Sequence, residues 1–160
     1  MTKPSQPPLE VRRARPSDLD ALLRLQSQLG RHHREIQPDN PRYRVTEAEW
    51  ETLLQRDLDS DTTRIHIAEW DGDIVGFVRL SFVEKPWGTS CEVDTLIVDE
   101  TRRRYGIGRQ LMSAAEHAAR EHGAAAIRLN ILAGNDLARA FYEGLGYEIL
   151  AWRYGKPTPR

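Results

Sequence analysis

The 160-residue sequence contains a single cysteine, Cys91. That excludes an internal disulfide framework and any multi-cysteine zinc site. No apolar run approaches the ~20 residues a membrane span needs. No charge of one sign dominates either: 23 Lys and Arg stand against 24 Asp and Glu, a formal charge of −1. Without a global positive field, a general nucleic-acid binder is disfavoured. Residues 1–8 carry no apolar signal-peptide core, which predicts a cytoplasmic protein. No repeat and no low-complexity block divides the chain. What remains is a polar but core-forming composition, 39% hydrophobic and 29% charged, at a length that suits one domain. Prolines at positions 4, 7 and 8, and again at 157 and 159, mark two mobile tails, 1–8 and 155–160, around a domain over 9–154.

Strand and helix signals alternate between the tails. Residues 9–14 predict a short strand with Leu9 and Val11 on one face. Ser17 reads as the N-cap of a first helix whose apolar stripe is Leu19, Leu22, Leu23 and Leu29. Residues 30–44 are polar, hold Pro38 and Pro41, and show no period. Thr46 with Glu49 fits a capping box opening a helix to about Leu58. The period then drops to two. Asp71-Gly72-Asp73 predicts a tight hairpin turn, and Pro86-Trp87-Gly88 the next turn. Residues 91–98 follow as a strand, with Val93, Thr95 and Ile97 on one face and Glu92, Asp94, Leu96 and Val98 on the other. A helix over 107–122 presents Ile107, Leu111, Ala114, Ala115 and Ala118 inward, and Gly123 closes it. A strand over 126–132, a helix over 135–145 and a last strand over 147–154 complete the order. Its mixed alternation predicts an α/β (α+β) domain with one sheet holding antiparallel and parallel pairs, the unit over 91–132 being a right-handed parallel crossover.

The most informative stretch is Val98-Asp99-Glu100-Thr101-Arg102-Arg103-Arg104-Tyr105-Gly106-Ile107-Gly108-Arg109. A strand ends, the chain turns through arginines and two glycines, and a helix begins. The first turn of a helix carries unpaired N–H groups and partial positive charge. Glycines there let an anion approach, and neighbouring arginines add charge, so the stretch suits a phosphate or pyrophosphate. No Gly-Lys-Ser/Thr follows, which excludes a Walker loop, and G-x-G-x-x-G is absent. The pattern is R-x-x-G-x-G, with Arg103, Gly106 and Gly108 at the fixed places. Here the sequence resembles the GNAT superfamily of acyl-CoA-dependent N-acetyltransferases. Downstream, Asn135, Ala138, Tyr142, Gly146 and Tyr147 are similar to that family's second signature, N-x-x-A-x-x-x-Y-x-x-x-G-[FY]. The resemblance covers roughly residues 65–154. It implies a central mixed, mostly antiparallel twisted sheet of six to seven strands with about four helices, and acetyl-CoA as cosubstrate with no metal. For Arg102 and Arg104 taken singly, a solvated role and a phosphate contact are both open.

The resemblance further implies that Arg103, Arg104, Tyr105, Gly106, Ile107, Gly108 and Arg109 hold the diphosphate of coenzyme A. Its pantetheine arm then lies beside the strand at Leu96, Ile97 and Val98, with Asn135 and Tyr142 also in contact. A bulge near Ile97 or Val98 leaves an N–H for the acetyl oxygen. A lysine-like amine has a pKa of ~10.4, so under about one part in a thousand is nucleophilic at pH 7. Asp94 and Glu92 are the candidate bases, an ion pair with Arg79 or Arg128 being the other reading of either. Tyr142 stands at the family's position for the acid that protonates the leaving thiolate. Cys91 reads as a passive strand residue and His32-His33 as loop surface. The implied reaction is direct acetyl transfer to a primary amine of a small molecule or peptide. Alternatives are a non-catalytic acyl-CoA sensor, or a protein N-terminus or aminoacyl-tRNA as acceptor. Residues 30–44 and 84–90, with Trp87, are the candidate acceptor walls. No membrane partner is expected, nucleic acid is disfavoured, and a homodimer is the default.

Overall fold

The computed structural model describes residues 8–156 and 158. Of the predicted tails, residues 1–7, 157, 159 and 160 lie outside the described residues. The chain divides into two compact units, Met1–Asn130 and Ile131–Arg160.

The first unit holds a five-stranded sheet in the order β1-β2-β3-β4-β5. The strands are β1 (Leu9–Arg13), β2 (Thr63–Trp70), β3 (Asp73–Lys85), β4 (Gly88–Val98) and β5 (Ala126–Leu129). The first three pairings are antiparallel and β4 with β5 is parallel, so the mixed character is as the sequence predicts. The β2–β3 turn is built on Asp71 and Gly72, both at positive φ (54° and 81°), the conformation a two-residue hairpin of this hand demands. Three helices belong to this unit: α1 (Leu19–Ile36), α2 (Glu47–Leu58) and α3 (Ile107–Glu121). Leu22 and Leu25 of α1 and Leu54 of α2 meet Ile65, Ile67, Phe77 and Ile97 in one buried cluster. Val78 and Leu80 alternate to the other face, where α3 buries Ile107, Leu111, Met112, Ala115, Ala118 and Ala119. Met112 and Ala119 thus join the stripe read from sequence.

Several boundaries move for identifiable reasons. Ser17 is not the cap; a 3-10 turn over Pro16–Asp18 precedes α1, and buried Asp18 accepts from Arg15 N (2.7 Å) and from Arg12 (2.8 Å). Helix α1 continues to Ile36, through the stretch read as irregular. Its last two turns are mostly partly or fully exposed, so they carry no apolar period, and Pro38 stops them. The capping box of α2 forms as read: Thr46 N donates to Glu49 (2.7 Å), and Glu49 N to Thr46 Oγ1 (3.3 Å).

The second unit contains α4 (Asp136–Gly144). The strand predicted over 147–154 is absent, so the sheet has five strands rather than six to seven. A strand needs a hydrogen-bonding partner, and no other strand is described in this unit. Leu137 is exposed, and Tyr142 is the buried residue of α4.

Candidate active site

The site begins where β4 outruns β5. Only Ser90–Val93 of β4 pair with β5, facing Ala126–Leu129. From Asp94 to Val98, β4 has no strand partner on that side among the described residues, leaving roughly 16 Å of edge at ~3.3 Å per residue. Leu96, Ile97 and Val98 lie on this open stretch. On the other side the register jumps from Arg79 facing Thr95 to Leu80 facing Val93. Asp94 is therefore the bulged residue. The bulge falls three to four residues before the place read from sequence, Ile97 or Val98, and it shifts the alternation of faces. Leu96 and Val98 face away from the α1–α2 core, whereas Ser81, Arg79 and Asp94 join in one polar cluster on the opposite side.

That cluster is a chain of charges. Asp57, at the end of α2, has a side chain only 1% exposed and lies 2.6 Å from Arg79 Nε. Arg79 Nη1 reaches Asp94 at 3.5 Å, and Ser81 Oγ donates to Asp94. The Arg79 partnership open in the sequence is therefore formed by Asp94. Glu92 takes a bond from Ser90 Oγ (2.6 Å) instead. Arg128, across from Glu92 in the β4–β5 register, stacks over Trp87 with 4.6 Å to the ring centroid. Neither Asp57 nor its role was legible: an acidic residue in an amphipathic helix reads as surface.

The turn from β4 into α3 follows immediately. Asp99 fixes its start. The Asp99 side chain accepts from Thr101 N (3.0 Å) and Thr101 Oγ1 (2.8 Å), from Arg24 of α1 (2.7 Å) and from Gln28 (3.3 Å). Burial by itself would raise this carboxyl; the four donors outweigh it and hold the pKa down at about 2. The Asp99 N–H donates to Val75 O (2.7 Å). Arg102 lies over the Trp70 ring at 5.1 Å and Tyr105 meets the same ring edge-on at 4.8 Å. Trp70 thus pins both sides of the turn. Arg103 Nε sits 3.5 Å from Val98 O. Arg104 and Gly106 both have positive φ, 69° and 76°. For an arginine that costs roughly 1–2 kcal/mol, the kind of strain that persists at ligand-gripping turns.

At Gly106 the helix opens without a plug. No side chain caps α3, and its first turn holds no acidic residue. A Cβ placed on Gly106 would meet nothing within 4 Å. Arg103, Arg104, Tyr105 and Arg109 are exposed around this mouth, while Ile107 is buried and anchors it. The donor set (bare amides, a helix dipole and exposed guanidiniums) fits a diphosphate.

In the second unit Asn135 is the N-cap of α4, accepting from Ala138 N at 3.2 Å. Tyr142 is buried between Phe141 and Tyr147, ring centroids 5.1 and 5.7 Å away. Burial pushes its phenol above the ordinary range, so it carries its proton at rest. Cys91 is fully buried. Burial, with Glu92 and Asp94 nearby, pushes its thiol up to about 11, which makes it a poor nucleophile. His33 lies on α1 against Tyr43, 4.9 Å between centroids. A hollow of about 480 Å³ beside α1, lined by Asp20, Ser27, Gln28, Arg31 and Glu47 among others, includes neither Asp94 nor Glu92.

An uncapped, glycine-opened helix start following a strand with an unpaired end is an arrangement that suits a diphosphate-bearing thioester. The chain belongs to the acetyltransferase (GNAT) family, whose sequence signature matches residues 29–147. It is 29% identical over 142 residues to the uncharacterized N-acetyltransferase YhfO of Bacillus subtilis (strain 168), covering 88% of this chain and 90% of that protein. Its fold is similar to that of a variant of the BH1408 protein from Bacillus halodurans, with TM-score 0.82, 23% identity, and 94% and 99% of the two chains covered. It is also similar in fold to the aminoglycoside N-acetyltransferase AAC(6')-Iy, solved with CoA, with TM-score 0.79, 16% identity and 98% of each chain covered.

Proposed function

We propose that this protein transfers the acetyl group of acetyl-CoA to a primary amine of a small molecule or peptide by direct attack, without an acyl-enzyme. The observation that carries the reading is that the chain runs from the end of β4, unpaired with β5 beyond Val93, into the uncapped start of α3. Acetyl-CoA supplies the activated acyl group. The amides of Gly106, Ile107, Gly108 and Arg109 take the diphosphate, with Arg103 and Arg104 flanking it and Tyr105 at its side. Leu96, Ile97 and Val98 offer backbone partners to the amides of the pantetheine arm, as a neighbouring strand would. An N–H left free along this edge meets the acetyl oxygen as charge develops there. Asn135 borders the arm from α4 while capping that helix.

The acceptor must lose a proton to become nucleophilic. Asp94, held at the bulge by Arg79 and Ser81, and Glu92, held by Ser90, receive it directly or through water. Tyr142, which burial keeps protonated at rest, returns a proton to the departing thiolate. The buried Cys91 takes no part. The protein acts in the cytoplasm in this reading.

The test is a panel of amines with acetyl-CoA, reading released thiol, alongside calorimetric binding of CoA. Tyr142→Phe should lower kcat by roughly 10²-fold or more, the range for a positioned general acid, with CoA affinity kept. Unchanged turnover removes Tyr142 from the mechanism. No heat on adding acetyl-CoA or CoA to the wild type sinks the whole reading, and CoA binding without thiol release from any amine turns it into a sensor.

A further inference from the structure

Arg79 stands where a charge is costly. It follows Phe77 by two residues on β3 and shares its face, against the buried cluster that Leu54 of α2 joins. Its side chain is only 12% exposed, so the guanidinium needs a partner, and Asp57 Oδ2 supplies one at 2.6 Å from Nε. Asp57 is itself fixed. Its Oδ1 accepts from Arg56 Nε and Nη2 (3.1 and 2.9 Å), and its carbonyl accepts from the Thr63 hydroxyl of β2 (2.8 Å). Pinned at Nε, the guanidinium offers Nη1 to a second carboxylate, Asp94 Oδ2, at 3.5 Å. Charge balance does not require this second partner, since Asp57 already provides it. For stability alone an apolar pair would serve as well. Asp94 also differs from Asp57 in place. It is the bulged residue of β4, and bulges re-aim side chains next to active sites. Its side chain is 30% exposed against 1% for Asp57. Ser81 Oγ and Arg79 Nη1 both lie on its Oδ2, and no described residue donates to Oδ1.

We propose that Asp57, buried and out of a substrate's reach, is a positioning residue for acetyl transfer: through Arg79 it fixes the Asp94 carboxylate so that Oδ1 stays open to take the acceptor's proton. Asp94 then works with one oxygen held and the other free. An ammonium acceptor gives its proton to Oδ1 and keeps the lone pair that attacks the acetyl carbon. That transfer needs heavy atoms about 2.6–3.2 Å apart, and a misplacement of about 1 Å can cost about 10²-fold in rate. An exposed aspartate on a bulge has several rotamers to choose from. A planar guanidinium, itself anchored by Asp57, selects one of them. The inference rests on the acyl-transfer reading and, within it, on Asp94 rather than Glu92 as the acting base.

The double variant Asp57→Leu/Arg79→Met separates positioning from folding, because it removes both charges together and leaves an apolar pair. Thiol release from acetyl-CoA is followed with the panel amine that turns over fastest. In this variant kcat should fall at least about tenfold, with the KM for acetyl-CoA within about twofold of wild type and the urea midpoint close to it. Asp94→Asn should lower kcat at least as far. Added to Asp94→Asn, the double change should cost less than about twofold more, because it acts through Asp94. Arg79→Lys keeps the charge but cannot span two carboxylates. It should lower kcat in the same way, and it decides the matter if the double variant fails to fold. Arg56→Ala, at the solvated end of the chain, should leave kcat unchanged. Wild-type kcat in the double variant or in Arg79→Lys, or losses that multiply on the Asp94→Asn background, overturns the positioning role and leaves the acyl-transfer reading standing. Full turnover in Asp94→Asn overturns it as well and passes the base to Glu92. Absence of thiol release by the wild type with every amine removes the positioning role and the acyl-transfer reading together.

Discussion

Replacing Asp57 with alanine removes one end of the charge chain that ties α2 to the β4 bulge. The carboxylate is 1% exposed and 2.6 Å from Arg79 Nε, and the Arg79 side chain is itself only 12% exposed. Arg56 also touches Asp57, at 2.9 Å, but is solvated and contributes little. In Asp57→Ala the Arg79 charge stays desolvated, with Asp94 at 3.5 Å as its remaining partner. Breaking a buried pair costs about 3–5 kcal/mol, and the surviving partner puts this case near the lower end. For a domain of this size, about 3 kcal/mol lowers Tm by roughly 6–12 °C. Arg79→Met should cost a similar amount, because it strands Asp57. The double variant Asp57→Leu/Arg79→Met should recover most of the loss, since an apolar pair of similar volume needs no desolvation. The coupling energy should then exceed about 2 kcal/mol. Urea unfolding of the four proteins, followed by far-UV circular dichroism, gives it directly. If both single variants lose under about 1 kcal/mol and their effects add, Asp57 and Arg79 are not a coupled buried pair, and the anchoring of Asp94 falls with them.

Gly76 faces the end of β4, where an added Cβ would stand 2.8 Å from Ile97 O and 3.1 Å from Leu111 Cδ1. Gly76→Ala should cost roughly 1–3 kcal/mol and weaken acetyl-CoA binding by displacing the open edge; calorimetry and a thermal melt on one sample check both, and unchanged affinity counts against the edge. Asp99→Ala should weaken CoA binding about tenfold, near the cost of one charge-assisted hydrogen bond, while circular dichroism shows the helices intact; full affinity would mean the turn holds its shape without Arg24 and Thr101. His66 is half-buried, and its Nδ1 is buried with no partner among the described residues. Burial, with Arg64 and Arg13, pulls its pKa down against the opposing pull of Glu121, and His117 adds to the lowering. The unfolded chain therefore takes up the proton first as pH falls. The stability is present above ~6.5 and lost below it. The urea midpoint should drop between pH 7 and 5, and His66→Phe should flatten that slope; an unaltered slope assigns the acid sensitivity elsewhere.

Local signals in this sequence settled whatever neighbours along the chain could settle. Thr46 and Glu49 close their own capping box, Asp71 and Gly72 set their own turn, and Gly106 with Gly108 empties the α3 mouth whatever packs behind it. Such features depend on backbone sterics and on groups within four residues. Tertiary structure decided what depends on distant partners. The end of β5 at Leu129 is what opens β4 from Asp94 onward. The bulge at Asp94, set by the β3 register, turns a residue of apparent strand period toward Arg79. The last turns of α1 have no apolar period to read, because no residue of them is fully buried. Asp57 looks like a surface acid until Arg79, 22 positions away, arrives beside it. A run with every mark of a strand, 147–154, forms none, because a strand is a relation between two segments and the sequence shows only one of them at a time.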